Sequence, residues 1–288
     1  MEMLNPLRPL VSVVVTTYFS ENYLSRCLES IKNQTYSNIE LIIVDSFSSD
    51  RSLDIARKFT NRVFAIEATE RSAKRNFGAF QGAGKYVFIV DSDMILGTNV
   101  VESCIEKMEN NFQLRAIVIP ELSVGESFWA KCKSLERSFY HGIEWMEAAR
   151  FFDRDVFYQV GGYDESNTGS EDYDLAQRVQ EKHSIRAIGR ISDFISQNEV
   201  HLSLLDSCRK KFYYAKSFPK YAVNSANCQI FRKQSSLLLR YKIFFSQPKK
   251  LFKNPLLGLG VLWMKTAEFV AGGTGYFLAL VFGKTTKN

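Results

Sequence analysis

No glycine precedes Gly78 in this 288-residue sequence, and this absence excludes two common kinds of nucleotide site. The dinucleotide fingerprint and the Walker loop both place glycines between the first strand and the first helix, where backbone N–H groups approach phosphates. Here the first strand-like run, residues 11–17, is followed by a segment without glycine. The charge of a bound diphosphate would therefore have to be met in another way, and a divalent cation held by carboxylates can do this.

Cysteine is scarce and shows no pattern. The five cysteines lie at positions 27, 104, 132, 208 and 228, without a CxxC pair or a spacing typical of metal ligands. We therefore expect free thiols in a reducing compartment, and no disulfide framework. The first residues include an acid and lack the charged, apolar and small segments of a cleaved leader, so we expect an opening strand there and no signal peptide.

Acidic residues are missing from residues 207–267. Of the 37 Lys and Arg residues, thirteen lie in that stretch, which leaves 24 for the rest of the chain together with all 31 Asp and Glu residues. The whole sequence has a net charge of +6. This change in charge predicts a mildly acidic domain at residues 1–205 and a basic, aromatic-rich helical region at residues 206–288.

The basic region allows three interpretations. Basic and aromatic residues can bind nucleic acid, but no known nucleic-acid-binding module accompanies them here. A solvated helix face packed on the first domain is the second interpretation. We favour the third, a membrane interface, where each basic residue near anionic lipid contributes about 1 kcal/mol.

The apolar end of the chain is interrupted by Lys265 and Glu268, so its longest uncharged run is residues 269–283. That run is shorter than the roughly 20 residues of a spanning helix. We therefore expect interfacial or re-entrant helices, with one tilted span as the alternative.

Short apolar runs alternate with helical patterns along the first domain. β-Branched, nearly continuous runs predict strands at residues 11–17, 39–45, 62–67, 86–90 and 115–122, with helices between them. This order predicts an α/β fold with a doubly wound, mostly parallel sheet, whose ligands bind beyond the carboxyl ends of the strands.

Aspartates end two of these strands. Asp45 follows one apolar run, and Asp91 and Asp93 follow another as the motif "DSD". Since parallel strands end at the same edge of a sheet, we expect these carboxylates to converge on one cleft. The alternative is that each aspartate only caps the turn that follows it.

A second group of acids lies at the start of a predicted helix. The segment "VGGYDESNTGSEDYDLAQRV" contains a glycine-rich turn and then Glu171, Asp172 and Asp174. Complementing the helix dipole is one interpretation. The other is catalytic, because carboxylates that crowd together raise each other's pKa, and a carboxylate tuned in this way can act as a general base.

Three segments occur in the order typical of one family: "VSVVVTTYFSENYLSRCLESIKNQTYSNIELIIVDSFSSD", "AKRNFGAFQGAGKYVFIVDSDM" and "VGGYDESNTGSEDYDLAQRV". Over roughly residues 11–205 the chain resembles the family 2 glycosyltransferases of the GT-A fold, a group that includes enzymes like dolichol-phosphate mannose synthase. The resemblance implies a GT-A, Rossmann-like domain that binds a nucleotide-sugar.

The resemblance also implies a role for each matching residue. The donor would be bound by Thr16, Tyr18, Asp45, Arg75, Asn76 and Asp91. Asp93, with Asp91 and His201, would hold Mn²⁺ or Mg²⁺ on the diphosphate. Asp172 would be the catalytic base, and Glu171 would position the acceptor.

The implied activity is an inverting, metal-dependent transfer of one sugar from a nucleotide-sugar, with UDP favoured over GDP. The acceptor is expected to be a hydroxyl or phosphate, lipid-linked or on a glycan, at the cytoplasmic face of the cell membrane, and no nucleic-acid partner is expected. Two departures from the family stand out: Ser46 follows Asp45 where many members have a second acid, and the Gln-x-x-Arg-Trp motif of processive synthases is missing. Two alternatives remain, a non-catalytic nucleotide- or lipid-binding scaffold and a sugar-phosphate nucleotidyltransferase, although the latter would need a glycine-rich loop after the first strand.

Overall fold

The structure is a computed structural model that describes residues 8–68, 70–167, 169–200, 202–216 and 232–282. The chain forms two compact units, each made of separate stretches of sequence. The first unit contains Met1–Pro120, Ala149–Glu165 and Leu175–Ser196, and the second contains Glu121–Ala148, Ser166–Asp174 and Gln197–Asn288. The division differs from the predicted stretches 1–205 and 206–288, because residues 121–148 and 166–174 group with the C-terminal helices.

Most of the first unit is built on one sheet. The strands of the described residues are β1 (Val11–Thr17), β2 (Ile39–Asp45), β3 (Val63–Ala65), β4 (Tyr86–Asp91), β5 (Met94–Leu96), β6 (Ala116–Val118), β7 (Glu121–Val124), β8 (Ala149–Asp153), β9 (Ile188–Arg190) and β10 (Ile195–Asn198). Seven of them form a sheet of order β3-β2-β1-β4-β8-β6-β9, in which β8 runs antiparallel to β4 and β6. The other pairings in this sheet are parallel, which confirms the predicted mostly parallel α/β sheet.

Helices separate these strands along the chain. The helices of the described residues are α1 (Leu24–Lys32), α2 (Ser52–Ala56), α3 (Arg71–Gln81), α4 (Val100–Glu109), α5 (Phe128–Ser138), α6 (Arg154–Gln159), α7 (Glu171–Lys182), α8 (Leu204–Ala215), α9 (Leu237–Phe245), α10 (Pro248–Leu251) and α11 (Pro255–Phe282). In α1 the buried residues are Leu24, Cys27, Leu28 and Ile31, which is the predicted helical spacing.

The sheet of the first unit is buried on both faces. Val11, Val13 and Val15 of β1 belong to one apolar cluster, whereas Val14 belongs to the cluster on the opposite face. This alternation follows from the period of two in a strand. A continuous β-branched run such as residues 11–17 is therefore suited to a strand covered on both faces.

The second unit contains α5, α8 and α11. Helix α11 packs along both α8 and α5, and the apolar cluster of this unit includes Cys132, Phe244, Val261 and Met264. The four cysteines in the described residues are free, as predicted, and Cys228 lies outside those residues. Among the described helices, none combines the length and the apolar character that crossing a membrane requires.

Candidate functional site

The carboxyl ends of β1, β2 and β4 lie side by side in the sheet. The strand register pairs Thr17 with Asp45 and Thr16 with Asp91. The two strand-end aspartates therefore flank the end of β1 at one edge of the sheet, as the sequence predicted. In open α/β sheets this edge is where ligands bind.

Asp91 is held by arginines. Arg75 Nη2 lies 2.8 Å from Oδ1 and 3.0 Å from Oδ2 of Asp91, and Arg150 Nη1 lies 3.4 Å from Oδ2. Burial alone would raise the pKa of Asp91, but the charges of Arg75, Arg150 and Arg71 outweigh it and hold that pKa well below its ordinary value of 3.8. Asp91 is therefore ionised at neutral pH.

Asp45 is fully buried and organises the turn that follows β2. Its Oδ1 accepts a hydrogen bond from the backbone N–H of Ser48 at 2.6 Å, and its Oδ2 accepts one from the Ser48 hydroxyl at 2.7 Å. Ser48 Oγ in turn accepts from the backbone N–H of Phe19 at 2.9 Å. The capping role that was left open for strand-end aspartates therefore applies to Asp45, while its contact with the donor stays a prediction.

Thr16 and Tyr18 lie at the end of β1 and just beyond it. Thr16 Oγ1 is 3.4 Å from Asp91 Oδ1, and the side chain of Tyr18 is 57% exposed. The Tyr18 ring is therefore open to contact by a base or sugar, and Lys74 Nζ lies 5.5 Å from its centre.

Lys74 is a buried cation at this edge that the sequence reasoning missed. Its Nζ donates a hydrogen bond to the backbone oxygen of Thr17 at 3.1 Å. Burial lowers the pKa of Lys74, and the charges of Asp45 and Asp91 oppose that change. Helical spacing could have found this residue, because Arg71, Lys74 and Arg75 occupy positions i, i+3 and i+4 of one helix face.

Arg150 was also missed, and the sequence contains no comparable signal for it. It sits in β8, within the run "ARFF", and it meets Asp91 because β8 pairs antiparallel with β4. The neighbours of a strand depend on sheet order, which local patterns do not encode.

Asn76, predicted to bind the donor, fixes a loop in this structure. Its side-chain amide donates to the backbone oxygen of Tyr163 at 2.9 Å, and its Oδ1 accepts from the Tyr163 backbone N–H at 2.8 Å. The preceding Gly162 has φ +63°, and a Cβ there would lie 2.6 Å from Asn76 Oδ1. Asn76 thus positions the glycine turn, and its contact with a donor stays a prediction.

Asp93 follows the end of β4 and is partly exposed. Both oxygens of Asp91 are engaged by guanidinium groups, and the role of Asp93 as a metal ligand stays a prediction. The described residues contain no group of three or more His, Cys, Asp or Glu side chains that could hold a metal ion by themselves. His201, predicted as a metal ligand, lies outside the described residues.

Glu171 and Asp172 begin α7 and belong to the second unit. Glu171 is fully buried, and its Oε2 accepts from the backbone N–H of Gly169 at 2.5 Å. Glu171 therefore holds the backbone just before the helix, and its role in positioning the acceptor stays a prediction. Asp172 is partly exposed, and its role as the catalytic base stays a prediction.

The strand order, with acidic and basic residues at the carboxyl ends of β1, β2 and β4, is that of an α/β protein of the GT-A class. Comparison with known proteins supports this. PcManGT, a mannosyltransferase from Pyrobaculum calidifontis solved with GDP-Man and Mn²⁺, matches 94% of this chain and 88% of that chain with a TM-score of 0.64 and 15% identity. S. aureus TarS 1–349, solved with UDP-GlcNAc, matches 94% of this chain and 92% of that chain with a TM-score of 0.55 and 15% identity. These similarities confirm the predicted fold.

The family model for glycosyl transferase family 2 matches residues 12–163, and the chain belongs to that family. A glucosyl-dolichyl phosphate glucuronosyltransferase of Haloferax volcanii is 35% identical over 184 residues, which is 55% of this chain and 57% of that protein. Glycosyltransferase GlyG of Streptococcus pneumoniae is 38% identical over 106 residues, or 35% of each protein. The matches thus span less than two thirds of these relatives.

Proposed function

We propose that the protein is an inverting glycosyltransferase that moves one sugar from a nucleotide-sugar to an acceptor hydroxyl or phosphate. The observation that carries the proposal is the edge formed by β1, β2 and β4, where Thr16, Asp45, Lys74 and Asp91 meet in a member of glycosyl transferase family 2. Tyr18 and Asp45 would contact the nucleoside. Arg75 would act through Asp91, whose carboxylate it orients.

The reaction needs one base and one charge-stabilising site. The acceptor oxygen attacks the anomeric carbon from the face opposite the nucleoside diphosphate, and the bond from that carbon to the phosphate oxygen breaks. The acceptor proton passes to Asp172, and the diphosphate leaves with the bonding electrons. This single displacement inverts the anomeric centre and needs no second catalytic carboxylate.

One carboxylate at the sheet edge is of the kind that binds a hard divalent cation. Mg²⁺ is commonly bound through one or two carboxylates together with substrate phosphates, and Asp93 provides such a carboxylate after β4. With no complete ligand set among the described residues, the remaining ligands would come from the donor, from water or from His201. When bound, Mn²⁺ or Mg²⁺ would neutralise charge on the leaving diphosphate.

We propose a lipid-linked acceptor and a location at the cytoplasmic face of the cell membrane. The basic, acid-free stretch at residues 207–267 supports this location, because anionic lipid attracts such segments. The similar H. volcanii protein, a glucosyl-dolichyl phosphate glucuronosyltransferase by name, is consistent with it.

Thermal unfolding with candidate donors tests donor binding. UDP, GDP, UDP-sugars and GDP-sugars would each be added with and without Mn²⁺, and a ligand that binds the folded state raises the unfolding temperature. We expect a shift that needs Mn²⁺ and is larger with a UDP-sugar. Equal shifts with UDP and GDP compounds would contradict the UDP preference, and no shift with any donor would contradict the proposal.

Asp172→Asn separates an enzyme from a non-catalytic scaffold. The variant should keep the donor-induced thermal shift but lose transfer to a membrane lipid extract by about 100-fold or more, since general base catalysis contributes about 10²–10⁴. If wild type binds a donor but neither wild type nor variant consumes it with any extract, the scaffold becomes the better description.

A further inference from the structure

The charged residues of α11 point into the second unit. Lys265 and Glu268 are 5% and 2% exposed. Lys265 pairs with Glu136 of α5 and with Glu268, and Lys133 Nζ lies 2.9 Å from Glu136 Oε2 and 3.2 Å from Glu268 Oε1. The four residues Lys133, Glu136, Lys265 and Glu268 form a closed ring of ion pairs, here called the ion ring, with no net charge.

The outward side of the same helix is apolar. Its exposed large side chains follow one another at helical spacings of four or seven residues. We call them the apolar stripe: Leu259, Trp263, Val270, Phe277 and Val281. From Leu259 to Val281 the helix rises about 33 Å, at 1.5 Å per residue. The stripe is therefore a long, narrow, uncharged surface.

Hydroxyl groups beside the stripe are satisfied within the protein. Thr266 Oγ1 donates to the backbone oxygen of Leu262 at 2.8 Å, and Thr274 Oγ1 donates to that of Val270 at 2.9 Å. Such back-bonding removes the need for water at these polar atoms. A shallow depression of about 360 Å³ lies on this side, lined by Trp263, Thr266, Ala267, Val270 and Ala271.

This arrangement differs from that of a helix on a water-exposed surface, where the apolar side faces the core and charged residues face the solvent. In α11 the two charged side chains are buried beside apolar residues such as Val261 and Met264. The exposed side of the helix carries large apolar side chains and no charged ones. Turning ionisable side chains toward the protein interior is what a lipid environment favours.

Basic and aromatic residues precede the helix. Lys242, Lys249 and Lys253 are exposed, and Phe245 and Phe252 are 51% and 39% exposed. No acidic residue accompanies them between positions 207 and 267. These cations complement an anionic bilayer, and aromatic side chains favour the boundary between lipid and water.

We infer that α11 lies in the plane of an anionic membrane surface, with the apolar stripe among the upper acyl chains and the ion ring on the protein side. The inference deepens the proposed membrane location, and it does not depend on the transfer chemistry.

Vesicle flotation of the full chain tests this inference. Vesicles of phosphatidylcholine alone and of phosphatidylcholine with phosphatidylglycerol would be compared for wild type, for Trp263→Asp/Phe277→Asp and for Phe112→Asp. Phe112 is 84% exposed and lies in the first unit, so it is a matched control. We expect wild type and Phe112→Asp to bind the anionic vesicles, and the double variant to lose at least about tenfold in affinity, since two large apolar side chains would no longer enter the acyl chains.

A fluorescence measurement locates the helix in the bilayer. The three tryptophans are Trp129, Trp145 and Trp263, so Trp129→Phe/Trp145→Phe leaves Trp263 as the reporter. Lipids brominated near the headgroup end of the acyl chain should quench it more than lipids brominated near the chain end. Stronger quenching from the chain end would overturn the in-plane orientation.

A partner other than a membrane on the apolar stripe would give different results. If the stripe binds a second copy of the chain, Trp263 emission will shift to the blue with protein concentration in the absence of lipid, and the double variant will reduce the mass of the particle. That outcome, or equal vesicle binding by wild type and the double variant, would overturn the inference. Circular dichroism and thermal unfolding check that the double variant is folded.

The donor assay keeps the two proposals apart. The double variant should show the same donor-induced thermal shift as wild type, because neither changed residue lies at the donor edge. Vesicle binding without any donor shift would leave the docking inference standing and contradict the proposed function. A donor-induced thermal shift without vesicle binding would contradict the docking inference and leave the proposed sugar transfer standing.

Discussion

The two aspartates of the "DSD" motif have different expected roles. Asp91 is paired with the fully buried Arg75 and with Arg150, whereas Asp93 is the expected metal ligand. Removing one member of a buried pair leaves the other charge uncompensated. The two positions should therefore respond differently to the same Asp→Asn change.

We predict that Asp91→Asn mainly lowers stability and that Asp93→Asn mainly lowers metal-dependent donor binding. Asp91→Asn should cost about 3 kcal/mol of unfolding free energy, since it removes the carboxylate paired with the buried Arg75. Asp93→Asn should abolish the Mn²⁺-dependent part of the donor shift, because it removes the carboxylate expected to bind the metal. Denaturant unfolding and thermal shift measure the two effects, and an unchanged Mn²⁺-dependent shift in Asp93→Asn would contradict the assignment.

Residues at the sheet edge differ in how well sequence predicts them. Asp45 and Asp91 were predictable because each ends an apolar run, and parallel strands end together. Arg150 was not, since its place beside Asp91 depends on the order of β4 and β8 in the sheet. Ser48 was not predicted either, because its hydrogen bonds to Asp45 depend on the conformation of the turn after β2.

Helix α3 carries the basic residues of the donor edge and packs closely on the sheet. Gly78 allows this approach, because a Cβ there would lie 2.3 Å from Val14 Cγ1 and 3.0 Å from Val44 Cγ2. Lys74 and Arg75 lie one turn earlier on the same helix. The spacing between α3 and strands β1 and β2 therefore sets where these cations lie.

We predict that Gly78→Ala destabilises the protein and weakens donor binding together. Overpacking of this kind costs about 1–3 kcal/mol, and the shift of α3 would move Lys74 and Arg75. Gly273→Ala is the matched control, because it also lies within a helix but a Cβ there has nothing within 4 Å; it should be neutral or stabilising by up to about 1 kcal/mol. Unfolding free energies and donor titrations measure both effects, and a neutral Gly78→Ala would show that α3 tolerates the shift.

The strands and helices of the first unit were easier to predict from the sequence than the set of segments that makes up the second unit. β1 and β2 match the predicted runs residue for residue, because β-branched continuity marks a doubly covered strand. The pairing of residues 121–148 with the C-terminal helices was not predictable, because contacts such as Lys133 with Glu268 join positions far apart in sequence. The long helix α11 was predicted as apolar and interrupted, but local patterns could not show which way its charges face.

The ion ring makes the stability of the molecule depend on pH. Burial alone would raise the pKa values of Glu136 and Glu268, but Lys133 and Lys265 hold them below the ordinary 4.5. Burial alone would lower the pKa values of Lys133 and Lys265, but the carboxylates raise them above 10.5. The stabilisation from the carboxylates is thus present above pH 4.5 and decreases below it, and that from the lysines decreases above pH 10.5.

We predict that the free energy of unfolding falls as the pH drops below 4.5, and that part of this fall depends on the ion ring. Lys265→Met/Glu268→Met removes one cation and one anion, so its stability should decline less steeply with acid than that of wild type. Chemical unfolding across a pH series measures this. Parallel curves for the two proteins would mean that other carboxylates cause the acid sensitivity.

Single and paired substitutions in the ion ring separate charge balance from packing. Glu268→Gln should cost about 3–5 kcal/mol, because it leaves two buried lysines with one carboxylate and so one positive charge uncompensated. Lys265→Met/Glu268→Met should recover most of that loss, since Lys133 and Glu136 remain as a neutral pair and apolar replacements of buried ion pairs are often neutral. Denaturant unfolding of wild type, both Met single variants and the double variant gives the coupling energy between positions 265 and 268. A double variant as unstable as the sum of its singles would show that the two charges act independently, and the ion ring would then not explain why α11 turns them inward.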